Sequence, residues 1–232
     1  MMRHFVKAAC GLWIAFAVPV LAQELVVVEL YTSQGCSSCP PADDFVAMLA
    51  SDPRILPLAL HVDYWDYIGW ADMFAQTKFT DRQRAYAEAI GSRTLYTPQL
   101  IIGGQDRIEG FSPDETAARL QEHLALPPRV RLTVTRDGDK LVIRAEADPP
   151  LTEPVRVQLV RFTPEATVLI ERGENAGRTI TYHNIVTSWE GLGDWQGVAP
   201  LEINASFSGD EAGAVILQSS GPATIVAAAR VD

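Results

Sequence analysis

Two cysteines stand three residues apart at the end of a long apolar run, in Cys36-Ser37-Ser38-Cys39. The run LVVVELY at 25–31 is rich in β-branched residues and predicts a strand that is buried on both faces. A disulfide across a two-residue gap removes little entropy from the unfolded chain, so the pattern favours a redox pair or a metal site over a structural cross-link. An inert disulfide that closes the turn is the alternative.

The segment before this strand has the features of a secretory signal. Arg3 and Lys7 supply positive charge, residues 8–18 are apolar, and Val20-Leu21-Ala22 resembles a cleavage site. The apolar stretch is too short to span a bilayer. We therefore predict that residues 1–22 are removed and that the protein is periplasmic or secreted, with no membrane anchor after cleavage. Exported thiols meet an oxidising compartment.

The charge balance excludes one class of partner. The chain carries 29 acidic residues against 19 basic ones, a formal net charge of −10 at pH 7. A surface this acidic repels phosphate backbones, so we expect no nucleic-acid partner. Binding to an anionic membrane surface is disfavoured for the same reason.

The predicted secondary structure changes character at Leu126-Pro127-Pro128. Before this segment strands and helices alternate in the order βαβαββα, with a capping box at Thr80-Asp81-Arg82-Gln83 opening one helix, whereas after it only strands are predicted. We therefore predict an α/β domain at 23–127 followed by an all-β sandwich domain at 128–232. The short, stiff junction predicts that the two domains pack together.

The order of elements and the place of the cysteines resemble the thioredoxin fold. Pro98, in Tyr96-Thr97-Pro98-Gln99, stands where that fold has a cis-proline facing the cysteines, and Glu29 stands near its buried carboxylate. The resemblance implies a thioredoxin-like first domain and a cis Thr97–Pro98 peptide bond. More narrowly, the runs ELYTSQGCSSCPPAD, HVDYWDYIGWADMF, YTPQ and GENAGR are similar to an exported bacterial family known as domain of unknown function twelve twenty-three. That family name supplies no activity.

The helix that follows the cysteines suggests a role for each of them. Unpaired backbone N–H groups and the helix dipole stabilise a thiolate at a helix N-terminus. Cys36, at the exposed end of the turn, is therefore predicted to be the attacking thiol, and the deeper Cys39 the resolving thiol. Pro40 and Pro41 remove two N–H groups, which predicts a less depressed thiol pKa.

Substrate contacts are predicted on the loops around the cysteines. Pro98 has no N–H and opens the third strand, so Thr97, Pro98 and Gln99 are expected to present an extended edge to a substrate backbone. Tyr64 and Trp65 belong to an aromatic stretch after the second strand and are expected to line a substrate groove.

Glu29 is a carboxylate within a buried strand, where an unpaired charge costs several kcal/mol. A raised pKa or a partner is therefore expected. In one interpretation Glu29 takes the proton from Cys39 as a mixed disulfide resolves. In the other it faces solvent or caps a neighbouring element. Arg82 is predicted to lie on the solvated face of a helix.

A metal site is the main alternative to a redox centre. The four predicted ligands are Cys36, Cys39, His61 and Asp63. The second predicted strand is the buried apolar run from Ile55 to His61, and His61 and Asp63 lie where it ends, at the sheet edge where the cysteines are expected. Soft thiolates with imidazole suit copper or zinc. The opposing interpretation is that His61 is a satisfied strand histidine, Asp63 starts a turn, and the aromatic residues between 64 and 74 are core.

Short strands are predicted at 155–162, 168–172 and 179–186. The segment GENAGR at 173–178 lies between the last two and has the composition of a tight turn. Alternatively, Glu174, Asn175 and Arg178, with the later His183, face the cleft of the first domain.

The sequence thus predicts an exported thiol-disulfide oxidoreductase that uses Cys36 and Cys39, needs no cofactor and acts on protein thiols or disulfides of the exported compartment. The first alternative is a protein that binds or delivers copper or zinc, and the second is a non-catalytic binding module.

Overall fold

The computed structural model describes residues 25–231, so the predicted signal segment lies outside the described residues. The helices are α1 (Pro40–Leu49), α2 (Thr77–Ala89) and α3 (Pro113–Leu124), with a short 3-10 helix at Asp66–Ile68. The strands are β1 (Val26–Thr32), β2 (Ile55–His61), β3 (Gln99–Ile102), β4 (Asp106–Glu109), β5 (Val130–Asp137), β6 (Lys140–Ala147), β7 (Val155–Leu169), β8 (Thr179–Trp195), β9 (Leu201–Ser206), β10 (Ala212–Ser219) and β11 (Ile225–Val231). No helix within residues 25–231 is long and apolar enough to cross a membrane.

Eight strands form one mixed sheet in the order β11-β10-β7-β8-β2-β1-β3-β4. β1 runs parallel to β2, so their carboxyl ends lie side by side, with Thr32 opposite His61. β1 is antiparallel to β3, where Tyr31 pairs with Gln99. The turn that follows β1 and carries the cysteines, residues 33–39, is called the Cys turn below. It lies beside the loop after β2 and the residues that lead into β3.

The predicted fold class, a thioredoxin-like α/β domain followed by a separate β-sandwich, is wrong. The chain is mostly β, and one sheet runs through both predicted domains, because β8 pairs with β2 in parallel at Ala59 and Ile185. Asn184, with a left-handed φ of 48°, donates from its side-chain amide to the Pro57 carbonyl at 2.8 Å. Without β8, the edge of β2 would leave backbone polar groups unpaired. The second half of the chain supplies that missing neighbour.

The element order βαβαββα predicted for the first half is confirmed, whereas the second half differs in its strand lengths. β7 and β8 are single strands of 15 and 17 residues where shorter strands were expected. They form a long hairpin whose connecting segment, residues 170–178, is called the hairpin tip below. The tip reaches the Cys turn, and the two halves do pack together, as expected.

Both faces of β1 are buried. Val28 and Leu30 pack against α1 and α3 on one face, the α1 face. Tyr31 packs with Phe79 of α2 on the other, the α2 face, where core residues of β7, β8 and β10 join them. The remaining strands, β5, β6 and β9, form a three-stranded sheet that packs on β7, β10 and β11. Successive side chains of a strand alternate between faces, so the alternation assigns each polar residue of β1 to one environment.

Candidate redox site

A disulfide between Cys36 and Cys39 closes the Cys turn, with Cα atoms 5.4 Å apart. Cys39 is the N-cap residue of α1, and Pro40 and Pro41 take the first helical positions. Proline is tolerated there because its missing N–H would have no partner within the helix. The first N–H group after the prolines to bond across a full turn is that of Asp43, which donates to the Cys39 carbonyl at 3.1 Å.

Both half-cystines are buried. Cys39 is 0% and Cys36 2% exposed, whereas Ser37 and Ser38 between them are exposed. The expectation that Cys36 stands at an exposed end of the turn is therefore wrong for the disulfide state. The Cys36 sulfur lies 3.5 Å from the Ser38 hydroxyl. A partner thiol reaches this sulfur only after side chains around the turn move.

The hairpin tip covers the Cys turn. Asn175, itself buried, donates from its side-chain amide to the carbonyl of Gln34 at 3.0 Å and to that of Cys36 at 2.9 Å. Arg178 donates to the Asn175 side-chain oxygen at 3.1 Å, which fixes the orientation of the amide. Glu174 is exposed. Of the tip residues predicted to face the cleft, Asn175 does so directly and Arg178 acts through it.

Trp70 and Gly173 also lie over the Cys turn, and together with Asn175 and Arg178 they are called the cover below. The indole N–H of Trp70 donates to the side-chain oxygen of Gln34 at 2.7 Å. Gly173 has a φ of +78°, and a Cβ there would lie 3.3 Å from the Trp70 Cβ, so glycine permits both the backbone conformation and the close approach. His183, also predicted to face the cleft, instead lies 3.6 Å from Glu165 on the neighbouring strand.

Trp65, one of the predicted substrate residues, contacts the Cys turn on another side. Trp65 packs against Gly35, where a Cβ would approach the Trp65 Cβ to 3.2 Å. The Trp65 indole donates to the Thr97 hydroxyl at 2.8 Å. The Thr97–Pro98 peptide bond is cis, as predicted, and Pro98 is buried. Trp65 thus links the Cys turn to the residues that lead into β3.

Gln99 and Tyr64 belong to a network behind Trp65. The Gln83 amide donates to the side-chain oxygen of Gln99 at 2.9 Å and to the Tyr96 carbonyl at 2.8 Å, and Gln83 accepts from the Tyr64 hydroxyl at 3.2 Å. Gln99 is buried, and burial raises the pKa of Tyr64 to about 12. Both side chains are engaged with protein groups and hold the start of β3 against α2.

Glu29 is fully buried on the α2 face of β1. The Arg82 guanidinium donates to both carboxylate oxygens at 2.7 Å, and the hydroxyls of Tyr31 and Tyr86 donate at 2.8 and 2.7 Å. Burial lowers the pKa of Arg82, but the Glu29 carboxylate beside it raises that pKa above its usual value. The expected partner is present, and the predicted solvated position of Arg82 is wrong. These hydrogen bonds tie β1 to α2 and involve neither cysteine.

A second buried polar cluster lies next to the Cys turn, on the α1 face. One oxygen of Asp72, Oδ2, accepts from the backbone N–H of Gln34 at 2.8 Å and from Nδ1 of His61 at 2.7 Å. This contact assigns a proton to Nδ1, since a carboxylate only accepts. The fully buried imidazole lies edge-on to the rings of Phe74 and Tyr182. Its Nε2 has no hydrogen-bond partner within residues 25–231.

Asp43, on the first turn of α1, belongs to the same cluster and is 3% exposed. Neither its carboxyl oxygens nor the nearby Thr32 hydroxyl has a well-formed hydrogen bond in the described part of the chain. Burial raises the pKa of Asp43 to about 7, against the lowering effects of charge on His61 and of Thr32. Asp43 stands four residues after Cys39, so their side chains share one face of the helix turn.

The four predicted metal ligands are not brought together. Asp63 accepts from the hydroxyls of Thr77 and Thr80, each at 2.6 Å, whereas His61 pairs with Asp72. Thr80 is thereby engaged with Asp63, and α2 begins earlier than the capping-box pattern predicted, at Thr77. Among residues 25–231, no group of three or more His, Cys, Asp or Glu residues could hold a metal ion.

Sequence reasoning missed Asp43 and Asp72. An acidic residue in the first turn of a helix is ordinary on helix-dipole grounds, so the burial of Asp43 left no signal in the sequence. Asp72 did leave one, because it stands in the apolar run WADMF, where a charge needs a buried partner.

One family model matches most of the chain. The model of a family described as Protein of unknown function (DUF1223) matches residues 27–218. The chain belongs to this family. The family prediction made from the sequence is therefore confirmed. Among curated proteins, none matches the chain.

Two solved structures are similar to this chain. Protein AGR_C_4864 from Agrobacterium tumefaciens is 32% identical, with a TM-score of 0.77 over 90% of this chain and 96% of its own. HBP35 of Porphyromonas gingivalis is 12% identical, with a TM-score of 0.62 over 90% of this chain and 75% of its own. At that identity the second likeness is one of fold alone.

Proposed function

We propose that this protein is an exported thiol-disulfide oxidoreductase whose redox centre is the Cys36–Cys39 disulfide. The observation that carries the proposal is the setting of that disulfide. It lies at the sheet edge where β1 meets α1, under the Asn175 cover and beside a buried cluster of titratable groups. A cross-link over two residues adds little stability through chain entropy, so a structural role does not account for these surroundings.

Export is proposed from the sequence segment that holds Arg3, Lys7 and the apolar residues 8–18. An oxidising compartment keeps a cysteine pair as a disulfide. The substrates of the proposed reaction are thiols or disulfides of other exported proteins.

The proposed reaction exchanges one disulfide for another. A substrate thiolate attacks the Cys36 sulfur, the Cys36–Cys39 bond breaks, and its electron pair leaves on Cys39 as a mixed disulfide forms. A second substrate thiolate then attacks the substrate sulfur of that mixed disulfide and releases Cys36. The substrate dithiol loses two electrons and two protons, which the cysteine pair gains. The reverse sequence reduces a substrate disulfide.

The structure supports Cys36 as the attacked sulfur. Cys36 is followed by the exposed Ser37, whereas Cys39 is fully buried and is followed by the buried Pro40. An incoming thiol therefore has a shorter path to Cys36, through the exposed serines, than to Cys39.

Cysteine replacement tests the proposal. With Cys39→Ala, Cys36 cannot be released by its partner, so we expect mixed disulfides with exported proteins, detected on non-reducing gels and lost on reduction. With Cys36→Ala we expect none. Ser37→Ala is the matched control because it changes the same turn and keeps both sulfur atoms. If Cys39→Ala traps no protein, the oxidoreductase proposal fails. Stoichiometric zinc or copper(I) on the reduced wild type would then favour the metal-handling alternative.

A further inference from the structure

Opening the disulfide would create a charge in an unfavourable place. The leaving group, Cys39, is fully buried, and burial disfavours a thiolate relative to a thiol. The two residues after it, Pro40 and Pro41, have no N–H groups to stabilise a negative sulfur. Departure of Cys39 as a bare thiolate is therefore costly, and a nearby proton donor would remove that cost.

The position of Asp43 suits it to be this proton donor. It stands one helical turn after Cys39, and side chains at this spacing on a helix are neighbours, with Cβ atoms about 5–6 Å apart. Both side chains are buried, so no bulk solvent competes for the proton. Neither carboxyl oxygen of Asp43 has a well-formed hydrogen bond within residues 25–231, and the hydroxyl of Thr32 is the one polar neighbour that acts on its pKa through hydrogen bonding.

We propose that Asp43 donates a proton to the Cys39 sulfur when the disulfide opens, and takes it back when the disulfide re-forms. This inference rests on the proposed function and assigns its proton step. As the incoming thiolate bonds to Cys36, the electron pair of the broken bond goes to Cys39, and the Asp43 proton converts that sulfur to a thiol. Asp43 is left as a carboxylate, which is the form that takes the proton back from Cys39 when the disulfide re-forms.

His61 is a positioning residue for this step. Its Nδ1 is bonded to Asp72, whereas its Nε2 has no hydrogen-bond partner within residues 25–231. Positive charge on the ring stabilises the carboxylate that Asp43 becomes, and lowers its pKa. Asp72 also holds the backbone N–H of Gln34, so the same carboxylate ties His61 to the Cys turn.

Other titratable groups near Asp43 also bear on its pKa. Asp72, from the loop after β2, and Asp44, the next residue of α1, both raise the pKa of Asp43. Tyr182, on β8, is neutral at ordinary pH because burial raises its pKa, and the Arg178 charge partly opposes that shift. Burial is the largest effect, and together with these two carboxylates it outweighs the lowering effects of His61 and Thr32 and leaves the pKa of Asp43 at about 7.

The pH dependence of reduction by dithiothreitol tests the proposal. The free thiols formed are alkylated and counted at each time point. In the wild type the rate should stop rising with pH near pH 7, since the gain in reagent thiolate is offset by loss of the Asp43 proton. In Asp43→Asn the rate should be about 100-fold lower at pH 6, within the usual range for a general acid. It should then rise steadily to the pKa of the reagent thiol.

Three further variants separate chemistry from structure. Asp43→Glu keeps a carboxyl group at this position, so its rate of reduction should again stop rising with pH, as in the wild type. His61→Gln removes the charge that lowers the Asp43 pKa, so the levelling should move to higher pH. Asp44→Asn, at the exposed neighbour on the same turn, removes only the weakest of the charges that raise the pKa of Asp43, so the levelling should move slightly, to lower pH. If Asp43→Asn does not fold, the Asp43→Glu and His61→Gln profiles decide the question, and wild-type behaviour in His61→Gln overturns the proposal.

The outcomes distinguish this inference from the function on which it rests. An Asp43→Asn profile that levels near pH 7 like the wild type overturns the proton assignment while Cys39→Ala still traps partners. A Cys39→Ala variant that traps no partner overturns the oxidoreductase proposal, whatever the pH profile with dithiothreitol.

Discussion

Two carboxyl groups are buried close to β1, on opposite faces of the sheet, and their surroundings differ completely. Glu29, on the α2 face, accepts four hydrogen bonds, two from Arg82 and one each from Tyr31 and Tyr86. Asp43, on the α1 face, has neither carboxyl oxygen in a well-formed hydrogen bond within residues 25–231. Both are almost fully shielded from water. Burial alone therefore does not set the state of either group.

The difference shows what hydrogen bonds and charge do for a buried acid. The Glu29 carboxylate is in bidentate contact with the Arg82 guanidinium, and this contact ties β1 to α2. For Asp43 the lowering effects of His61 and Thr32 are weaker than the effect of burial, so the pKa of Asp43 is raised to about 7 and its proton can be exchanged near neutral pH. A satisfied buried carboxylate stabilises the fold, whereas an unsatisfied one is available for proton transfer.

The largest expected effect comes from breaking the satisfied pair. Glu29→Gln leaves the Arg82 guanidinium buried without a counter-charge, and loss of one partner of a buried pair costs about 3–5 kcal/mol. Urea unfolding at pH 7 should show this loss in the free energy of unfolding, and the double variant Glu29→Gln/Arg82→Leu should recover part of it. A loss below 1 kcal/mol would mean that the pair is not the main tie between β1 and α2.

Replacing the unsatisfied acid, Asp43, should have the opposite effect and raise the free energy of unfolding at high pH. The pKa of Asp43 is raised in the folded state from 3.8 to about 7, so the folded protein holds a proton that the unfolded chain loses. The stability from this group is therefore lost as pH rises from about 4 to about 7. Asp43→Asn, which resembles the protonated form, should be more stable than the wild type at pH 8 by up to about 4 kcal/mol, because the pKa shift spans about three units. The gain should vanish at pH 4.

Measured unfolding free energies at the two pH values check this prediction, with Asp44→Asn as the exposed control. Equal destabilisation at pH 4 and pH 8 would show that the Asp43 carboxyl is not protonated in the folded protein, and the contrast with Glu29 would collapse.

The smallest effect is expected at the cover, which decides how readily the α1-face cluster is reached. Asn175→Ala removes the hydrogen bonds to the carbonyls of Gln34 and Cys36, at a cost of ~1–2 kcal/mol. Because the sulfur of Cys36 becomes accessible more often, dithiothreitol should reduce the disulfide several-fold faster. Glu174→Ala, at the exposed neighbour, is the control. Unchanged reduction in Asn175→Ala would place the barrier to access elsewhere.

Much of the first half could be predicted because its signals are local. β2 has the bounds that its apolar run predicted, and the prolines after Cys39 mark the start of α1. The candidate site was predicted in part. Trp65 links the Cys turn to Thr97, whereas His61 and Asp63 face different partners. Asp43 was missed because its burial depends on β2 and β8, not on its own helix.

The sequence by itself determined the elements around the Cys turn, the disulfide spacing and the family, since each depends on residues a few positions apart. Tertiary structure alone decided that β8 completes the sheet beside β2 and that Asn175 bonds to Gln34, 141 residues away. It also decided which buried carboxyl is paired. Such contacts form wherever packing can satisfy an exposed strand edge or a buried polar group, and a local pattern of residues carries no record of the distant partner that does so.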